Sequence, residues 1–297
     1  MRVFLTGATG FIGSAVVKEL IGAGHQVTGL ARSDAGAKAL EAAGAQVHRG
    51  DLEDLESLRN GAAASEGVIH TGFNHDFSKF KANCEADRRA IGALGSALAG
   101  SGRPLVITSG TALVAPGRLS TEDDPPGVSS ESVPRVASEE AASALGKEGI
   151  RVSVLRLPPT VHGAGDHAFI PILIATARAK GFSAYVGDGQ NRWPAVHRLD
   201  AASLFVLALE KAATGARLHG VDEEGVAMRS IAETIGAGLG LPVQGLTASE
   251  AAEHFGWFAH FAAIDNPTSS AITRKSLGWS PKGPSLLKDL RDGGYFK

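Results

Sequence analysis

The chain has 297 residues, of which 43% are hydrophobic and 20% are charged, and 29 basic against 31 acidic residues give a formal net charge of −2. This composition excludes fibrous, disordered and disulfide-stapled proteins. Without an excess of positive charge, nucleic acid and anionic membranes are not expected as partners. Cys84 is the single cysteine, which excludes an intrachain disulfide and suits a reducing cytoplasm.

No export or membrane segment is predicted. Residues 1–7 are too short an apolar run, and too soon glycine-rich, for a signal peptide, and no stretch reaches 18 unbroken apolar residues. We therefore expect a cytoplasmic chain that does not span a membrane.

Short apolar runs alternate with helical patterns through the first half of the chain. The predicted strands are residues 3–6, 27–30, around 47, 68–70, 105–108 and 152–157. The predicted helices are residues 11–21, 35–43, 52–59, 77–98 and 134–146. Strands that alternate with helices indicate a parallel sheet with right-handed crossovers and helices on both faces. The sequence predicts a doubly wound α/β fold with six parallel strands.

The second half has a looser pattern. Residues 110–133 contain three prolines and an acidic run, and loops of this length are functional lids or disordered segments. Beyond residue 160 we predict a smaller α+β region that binds the substrate, over residues 161–297. Residues 1–160 would form the sheet domain, and residues 195–219, with a helix at 201–211, would pack back onto it.

A glycine-rich segment joins the first predicted strand to the first predicted helix. Gly7, Gly10 and Gly13 form a GxxGxxG pattern, which allows a tight turn and a close approach of the backbone to a pyrophosphate at the helix N-terminus. The second strand ends in Arg32 and Ser33 with no acidic residue, so a cation is available for a 2′-phosphate. We predict NADP(H) rather than NAD(H). The alternative is a solvated Arg32, with Asp34 merely capping the next helix.

Six segments in order resemble the extended short-chain dehydrogenase/reductase family, the NAD-dependent epimerase/dehydratase-like group. They are residues 6–13, 50–52, 68–70, 156–163, 196–200 and 277–281. The resemblance covers essentially the whole chain and implies a Rossmann fold. It also implies a homodimer built through the predicted helices at 77–98 and 134–146.

The resemblance further implies a set of cofactor-binding residues at the carboxyl ends of the strands. They are Gly7, Thr9, Gly10, Phe11, Ile12 and Gly13 for the pyrophosphate, Asp51 and Leu52 for the adenine, Thr71, Gly72 and Phe73 for the ribose, and Pro158, Pro159 and Val161 for the nicotinamide. Asp51 could equally be a helix N-cap.

The family's Tyr-x-x-x-Lys motif is absent from the sequence. Tyr185 is followed four residues later by glycine, and Tyr295 lies at the C-terminus. By alignment, Arg135 takes the tyrosine position, where it can bind an anion but not release a proton, and Glu139 takes the lysine position. Glu139 would be a general acid if burial raised its pKa, or else a surface partner of Arg135 at i,i+4.

Other candidates surround the expected cleft. Ser109 and Thr111 flank the position of the family's hydroxyl and could bind a carbonyl oxygen, or only satisfy the backbone at a strand end. His75 and His162 could donate a proton, or be structural. A metal set of His70, His75 and Asp76 lacks a third strong ligand at suitable spacing, and we predict no metal.

Two segments of the second half of the chain contain aromatic side chains that could contact a substrate. Arg192 and Trp193 could hold an anion and stack a ring of the substrate, although packing explains Trp193 equally well. The aromatic patch at residues 254–261 is expected to be core, with a substrate wall or a subunit interface as alternatives.

The sequence thus predicts an atypical NADP(H)-binding oxidoreductase that acts on a small-molecule carbonyl or alcohol. A nucleotide-sugar epimerase or dehydratase is the alternative within the same fold. A catalytically silent NADP(H)-binding regulator is the alternative from another class, and fold analogy alone does not decide between them.

Overall fold

The computed structural model describes residues 1–114 and 117–297. The strands are β1 (Arg2–Thr6), β2 (Gln26–Ala31), β3 (Gln46–Arg49), β4 (Gly67–His70), β5 (Leu105–Gly110), β6 (Val152–Leu157), β7 (Thr160–His162), β8 (Ser183–Val186), β9 (Arg192–His197), β10 (Arg217–His219), β11 (Glu223–Ala227) and β12 (Val243–Leu246). Within the described residues, seven of them form one parallel sheet in the order β10-β6-β5-β4-β1-β2-β3.

Helices cover both faces of this sheet. Among the described residues the helices are α1 (Gly13–Gly22), α2 (Asp34–Ala42), α3 (Leu55–Ala63), α4 (Phe80–Ser96), α5 (Ala137–Lys147), α6 (Phe169–Lys180), α7 (Arg198–Lys211), α8 (Met228–Leu239), α9 (Ala248–Phe255), α10 (Ala259–Ala263), α11 (Ala271–Leu277) and α12 (Leu286–Asp292), and those of them that flank this sheet are α1 to α5 and α7. In β1, Val3 and Leu5 pack with α1, α2 and α7, while Phe4 packs with α3, α4 and α5 on the other face. Because alternate strand residues point to opposite faces, both faces are apolar and the predicted doubly wound fold is confirmed.

The prediction of six strands is wrong by one. β10 adds a seventh strand at the edge, where Leu218 aligns with Leu155 of β6. This strand has three residues, and its pattern is too short to distinguish it from a loop by periodicity.

Several predicted helix starts are also wrong by two or three residues, and two of them for the same physical reason. Asp76 accepts a hydrogen bond from the Ser78 amide and begins a 3₁₀ turn, so α4 starts at Phe80 rather than at residue 77. The Asp54 carboxylate caps α3, which therefore starts at Leu55 rather than at residue 52. An aspartate that bonds to backbone amides ahead of it favours a turn or a cap over helix interior.

The C-terminal part contains a separate apolar cluster. Residues of α6, α8 and α9 pack around Trp193 and Phe258, beside a three-stranded sheet in the order β11-β9-β7 and a parallel pair of β12 with β8. This mixture of helices and short strands is of the α+β kind, and the boundary near residue 160 stays a prediction. Nowhere in residues 1–114 and 117–297 is a helix long and apolar enough to cross a membrane.

The described part of the loop at 110–133 is attached to the C-terminal part. Ser120 forms an isolated β-bridge with Thr268, and the buried Glu122 accepts hydrogen bonds of 2.6 Å from the amide and the hydroxyl of Thr273. Residues 115 and 116 of the predicted lid lie outside the described residues. The lid role stays a prediction.

Candidate functional site

The glycine turn between β1 and α1 has the shape that a bound pyrophosphate requires. Gly7 has a φ of +68°, and a Cβ there would lie 2.6 Å from the backbone nitrogen of Gly72. A Cβ on Gly13 would lie 2.1 Å from the Gly7 oxygen. A Cβ on Gly10 would meet only that same oxygen at 3.2 Å, so the space in front of Gly10 is open. The turn can therefore accept an anion at the N-terminus of α1.

The segment after β4 lies against the glycine turn. The Thr71 hydroxyl donates to the Thr6 carbonyl at 2.8 Å, and the Gly72 amide donates to the Thr6 hydroxyl at 3.3 Å. A Cβ on Gly72 would lie 2.9 Å from Leu52. The structure thus brings together residues that the family resemblance placed beside the pyrophosphate, the ribose and the adenine.

An arginine and an aspartate meet at the ends of β2 and β3. Arg32 has an 83% exposed side chain, and its Nη1 lies 3.7 Å from Oδ2 of Asp51. Ser33, not Asp34, caps α2 by accepting from the Gly36 amide, so the alternative in which Asp34 caps that helix is wrong. Asp51 does not cap α3 either, because its carboxylate accepts instead from the Glu53 amide at 3.0 Å.

Asp34 has a different partner, the guanidinium of Arg49 at 2.6 Å. Asp34 therefore does not neutralise Arg32, whose nearest acidic group is Asp51.

Glu139 is buried in an ion pair on the inner side of α5. Its Oε1 accepts from Arg156 Nε at 2.8 Å, its Oε2 accepts from Arg156 Nη2 at 2.7 Å, and the Ser109 hydroxyl donates to Oε1 at 2.7 Å. The predicted surface pair of Glu139 with Arg135 is therefore wrong. Helical spacing permits an i,i+4 contact but does not require one when an inward-facing carboxylate meets a buried guanidinium.

Arg156 is fully buried and is the centre of this network. Besides Glu139, its Nη1 donates to the Asp124 carbonyl at 2.8 Å and contacts His219 Nε2 at 3.2 Å. Burial lowers the pKa of His219, which is consistent with a neutral ring that accepts from the arginine. The Ser109 hydroxyl, a candidate for binding a carbonyl oxygen, thus already donates its hydrogen bond to the Glu139 carboxylate.

Thr111 is held in the same way. Its hydroxyl donates to Oδ1 of Asn266 at 2.8 Å, and Asn266 Nδ2 donates back to the Thr111 carbonyl at 3.1 Å. The residue is completely buried. This reciprocal pair joins the end of β5 to the C-terminal part, and it satisfies the threonine without a ligand.

Arg135, which we predict to take the family's tyrosine position, is fixed from three directions. Its Nη1 donates to Oδ2 of Asp87 at 2.9 Å, its Nη2 donates to the Thr108 carbonyl at 3.0 Å, and its Cζ lies 4.4 Å over the Phe73 ring. Ser138 also contacts Nη1. The guanidinium is therefore a rigid cation at the carboxyl ends of β4 and β5.

A buried hydrogen-bonded chain connects this cation to the glycine turn. Asp87 Oδ1 is 2.8 Å from His70 Nε2, and His70 Nδ1 is 2.7 Å from the Thr6 hydroxyl. Burial alone would raise the pKa of Asp87, but Arg135, His70 and Ser138 outweigh it and keep the pKa below its ordinary value. Asp87 is thus an ionised anchor for Arg135.

Sequence reasoning missed Asp87, although a signal was present. In α4 the buried positions Cys84, Asp87, Ile91 and Leu94 recur at helical spacing, so an acid interrupts an apolar stripe. A charge at such a position is buried and requires a partner.

Two histidines contact aromatic rings of the candidate site. The exposed His75 contacts the Phe73 ring edge-on at 5.1 Å, and partial desolvation, then the charges of Arg135 and His167, lower its pKa below 6.5. His167, which sequence reasoning missed, donates from Nδ1 to the Gly165 carbonyl at 3.2 Å and lies 5.8 Å from the Phe11 ring.

Three further candidates, the possible proton donor His162 and the possible substrate-binding pair Arg192 and Trp193, have other partners in the structure. His162 is buried with its Nδ1 2.8 Å from Asp289, and burial lowers its pKa in spite of that carboxylate. Arg192 forms a two-pronged pair with Asp265 at 3.0 and 2.9 Å. Trp193 is fully buried in the apolar cluster of the C-terminal part. These contacts favour packing for Trp193 and a structural role for the other two.

The chain is similar in sequence to several known proteins. Residues 3–220 match the model of the NAD dependent epimerase/dehydratase family. An uncharacterized protein of Schizosaccharomyces pombe is 50% identical over 297 residues, which cover 100% of both chains. A 4-hydroxy-2-methyl-3-oxo-4-farnesyl-3,4-dihydroquinoline-1-oxide ketoreductase of Stigmatella aurantiaca is 29% identical over 274 residues, covering 86% of this chain and 80% of that one.

A solved structure shares the fold. DesIV, a dTDP-glucose 4,6-dehydratase from Streptomyces venezuelae crystallised with NAD and TYD, superposes with a TM-score of 0.78 at 19% identity, over 100% of this chain and 96% of that chain. At this identity the similarity establishes the fold, which agrees with the seven-stranded sheet described above.

Proposed function

The chain belongs to the NAD dependent epimerase/dehydratase family, and on that premise we propose that it is an NADP(H)-dependent reductase of small-molecule ketones. The observation that carries the proposal is Arg135, a fixed cation at the tyrosine position, linked through Asp87 and His70 to the strand that precedes the glycine turn. Consumption of NADPH with formation of one equivalent of alcohol tests it.

The residues present fit a dinucleotide. The open space in front of Gly10 and the N-terminus of α1 would hold the pyrophosphate, and Leu52 with Gly72 would border the adenosine. When bound, the reduced nicotinamide supplies a hydride to the carbonyl carbon. The remaining tasks, holding the carbonyl oxygen and delivering a proton to it, are those of the chain's own side chains.

Arg135 is proposed to hold the carbonyl oxygen. Its bonds to Asp87, Ser138 and Thr108 use three N–H groups, which leaves Nε and one Nη2 hydrogen for a ligand. An arginine does not release its proton near neutral pH, so its contribution is electrostatic stabilisation of the oxygen as negative charge develops. Arg135 would thus supply the hydrogen bond that a tyrosine gives to the carbonyl oxygen. The proton that a tyrosine also gives would have to come from another residue.

His75 is the proposed proton donor, and its lowered pKa gives a pH dependence with a defined sign. Ketone reduction needs the imidazolium, so kcat/KM should fall as pH rises through a pKa below 6.5, whereas alcohol oxidation needs the neutral ring as base and should rise over the same range. His75→Gln should flatten both profiles, as steady-state rates from pH 5 to 8 would reveal.

The control is His25→Gln, at the amino end of β2, where His25 contacts Glu210. It should keep the profile of the unmodified protein. If His75→Gln also keeps that profile, the proton comes from another donor, with His167 the next residue to replace.

The preference for NADP(H) is proposed to come from Arg32. The exposed guanidinium can turn from Asp51 to a 2′-phosphate, whereas Asp51 alone would favour a free ribose hydroxyl. Arg32→Ala should weaken NADPH binding by about tenfold or more, because a charge-assisted hydrogen bond of about 1.5–3 kcal/mol is lost, and should leave NADH binding almost unchanged. Calorimetric titration of both dinucleotides checks this.

Arg2→Ala is the matched control, since Arg2 is an exposed arginine paired with Glu66 at the amino end of β1. It should change neither affinity. Equal weakening of NADPH and NADH by Arg32→Ala would show that Arg32 does not read the 2′-phosphate.

A nucleotide-sugar epimerase or dehydratase is compatible with the family. It would need a cation in the C-terminal part for the sugar's diphosphate, and the arginine proposed for that role, Arg192, is neutralised by Asp265. This pairing favours the ketone reductase.

A further inference from the structure

We propose that the substrate of this reductase is an uncharged ketone with a planar ring system, bound against an aromatic wall formed by Phe73, Phe77, Phe80, Trp257 and Phe261. This inference rests on the proposed function, because it takes Arg135 as the group that holds the carbonyl oxygen. It adds the chemical class of the molecule that brings this oxygen to Arg135.

The aromatic wall is continuous and comes from two distant parts of the sequence. Phe80 lies 6.3 Å from Phe73 and 5.6 Å from Phe77, measured between ring centroids. Phe77 lies 5.2 Å from Trp257 and 6.3 Å from Phe261. The segment after β4 and the segment after α9 therefore meet through aromatic rings. Centroid distances of 4.5–7 Å are typical of favourable ring pairs.

The wall keeps part of its surface open. Trp257 is 58% exposed, and Phe73, Phe77, Phe80 and Phe261 are each only partly buried. A large exposed indole in contact with other rings is costly in water and marks a binding surface more often than a core.

The same aromatic segment sends its other rings inward. Phe255 and Phe258 are 6% and 1% exposed and belong to the apolar cluster of the C-terminal part. Trp257 and Phe261 are four residues apart and therefore lie on one side of the short helical segment that spans them. The expectation that this patch is core is correct for His254, Phe255 and Phe258 and wrong for Trp257.

The aromatic wall begins at Arg135, and this position indicates what the wall would bind. Its inner end is Phe73, which lies under the Arg135 guanidinium at 4.4 Å, and its outer end is Trp257. A ketone whose oxygen meets Arg135 would therefore lay its carbon skeleton along π faces. Flat rings gain stacking contacts there, whereas a sugar would lose the partners of its hydroxyl groups.

The three tryptophans provide a direct test. Trp193 is fully buried and Trp279 is 3% exposed, so Trp257 is the solvent-accessible fluorophore. The full-length protein is titrated with 2-tetralone, a fused-ring ketone, with 2-decanone, an acyclic ketone of equal carbon number, and with UDP-glucose. We expect saturable quenching by 2-tetralone and affinity about tenfold weaker for 2-decanone, since a ring pair contributes about 0.5–1.5 kcal/mol.

Variants then locate the site by calorimetry, which does not depend on fluorescence. Trp257→Ala and Phe77→Ala should each weaken 2-tetralone by about fivefold to tenfold. Leu199→Ala, at another exposed large apolar residue, should leave the affinity unchanged. Equal affinity for both ketones, tighter binding of UDP-glucose, or undiminished 2-tetralone binding by folded Trp257→Ala would each overturn the proposal.

The outcome separates this inference from the proposed function. Binding of 2-tetralone that depends on Trp257, without oxidation of NADPH, would keep the aromatic site and contradict the reductase. NADPH-dependent reduction of 2-decanone as efficient as that of 2-tetralone would keep the reductase and contradict the aromatic site.

Discussion

Replacing Arg156 with methionine should lower the free energy of unfolding by about 3–5 kcal/mol, the usual cost of removing one partner of a buried ion pair. Arg156 is fully buried and donates two hydrogen bonds to Glu139, so the substitution leaves a carboxylate in the interior without a cation. It also frees the Asp124 carbonyl and His219. Urea unfolding followed by circular dichroism measures the change.

Two further variants test the cause. Adding Glu139→Leu to Arg156→Met should recover more than half of the loss, because the interior then holds neither charge. Arg88→Met should cost about 1 kcal/mol or less, because Arg88 and its partner Glu140 are partly exposed. A loss below about 1 kcal/mol for Arg156→Met would contradict the assigned network.

Arg135→Gln should lower kcat/KM for ketone reduction by about 10²–10³-fold, the usual effect of removing one donor to a developing oxyanion. The fall should be in kcat more than in KM, because the hydrogen bond strengthens as negative charge grows on the oxygen. NADPH affinity should change little. Steady-state kinetics with 2-tetralone, together with NADPH titration, make the measurement.

Asp87→Asn tests the role of the residue that positions Arg135. Asp87 holds Arg135 without reaching the substrate, so its loss should lower kcat by a smaller factor. Arg88→Gln, one residue further along α4, removes an arginine that pairs with Glu140 and should leave kcat unchanged. Full activity in Arg135→Gln would exclude Arg135 from the reaction, whatever the behaviour of the other two.

The sequence predicts most of the sheet because its interior strands are apolar on both faces. An apolar run ends at Thr6, and glycines and a helix with a buried Val16 follow it. This order of elements is typical of a βα unit. β10 escapes prediction because a three-residue edge strand is selected by pairing with β6, not by its own pattern.

The sequence predicts the parts of the candidate site that backbone geometry determines. It does not predict which of several possible partners a charged side chain contacts. Gly7 and Gly13 are required by close backbone contacts, which the spacing of the turn already implies. The partner of Glu139 is not implied by spacing, since either Arg135 at i−4 or Arg156 on β6 could neutralise its charge, and the structure pairs it with Arg156. Only packing shows that Glu139 faces inward and that Arg135 turns to Asp87.

The reductase activity is tested most directly by a single-turnover reaction of the protein–NADPH complex with excess 2-tetralone, followed by NADPH absorbance and by analysis of the product. We expect oxidation of the bound NADPH and one equivalent of the alcohol, with the rate reduced in Arg135→Gln. Protein that binds NADPH tightly yet oxidises none of it, with 2-tetralone or any ketone of a broad panel, would contradict the reductase and indicate a dinucleotide-binding regulator.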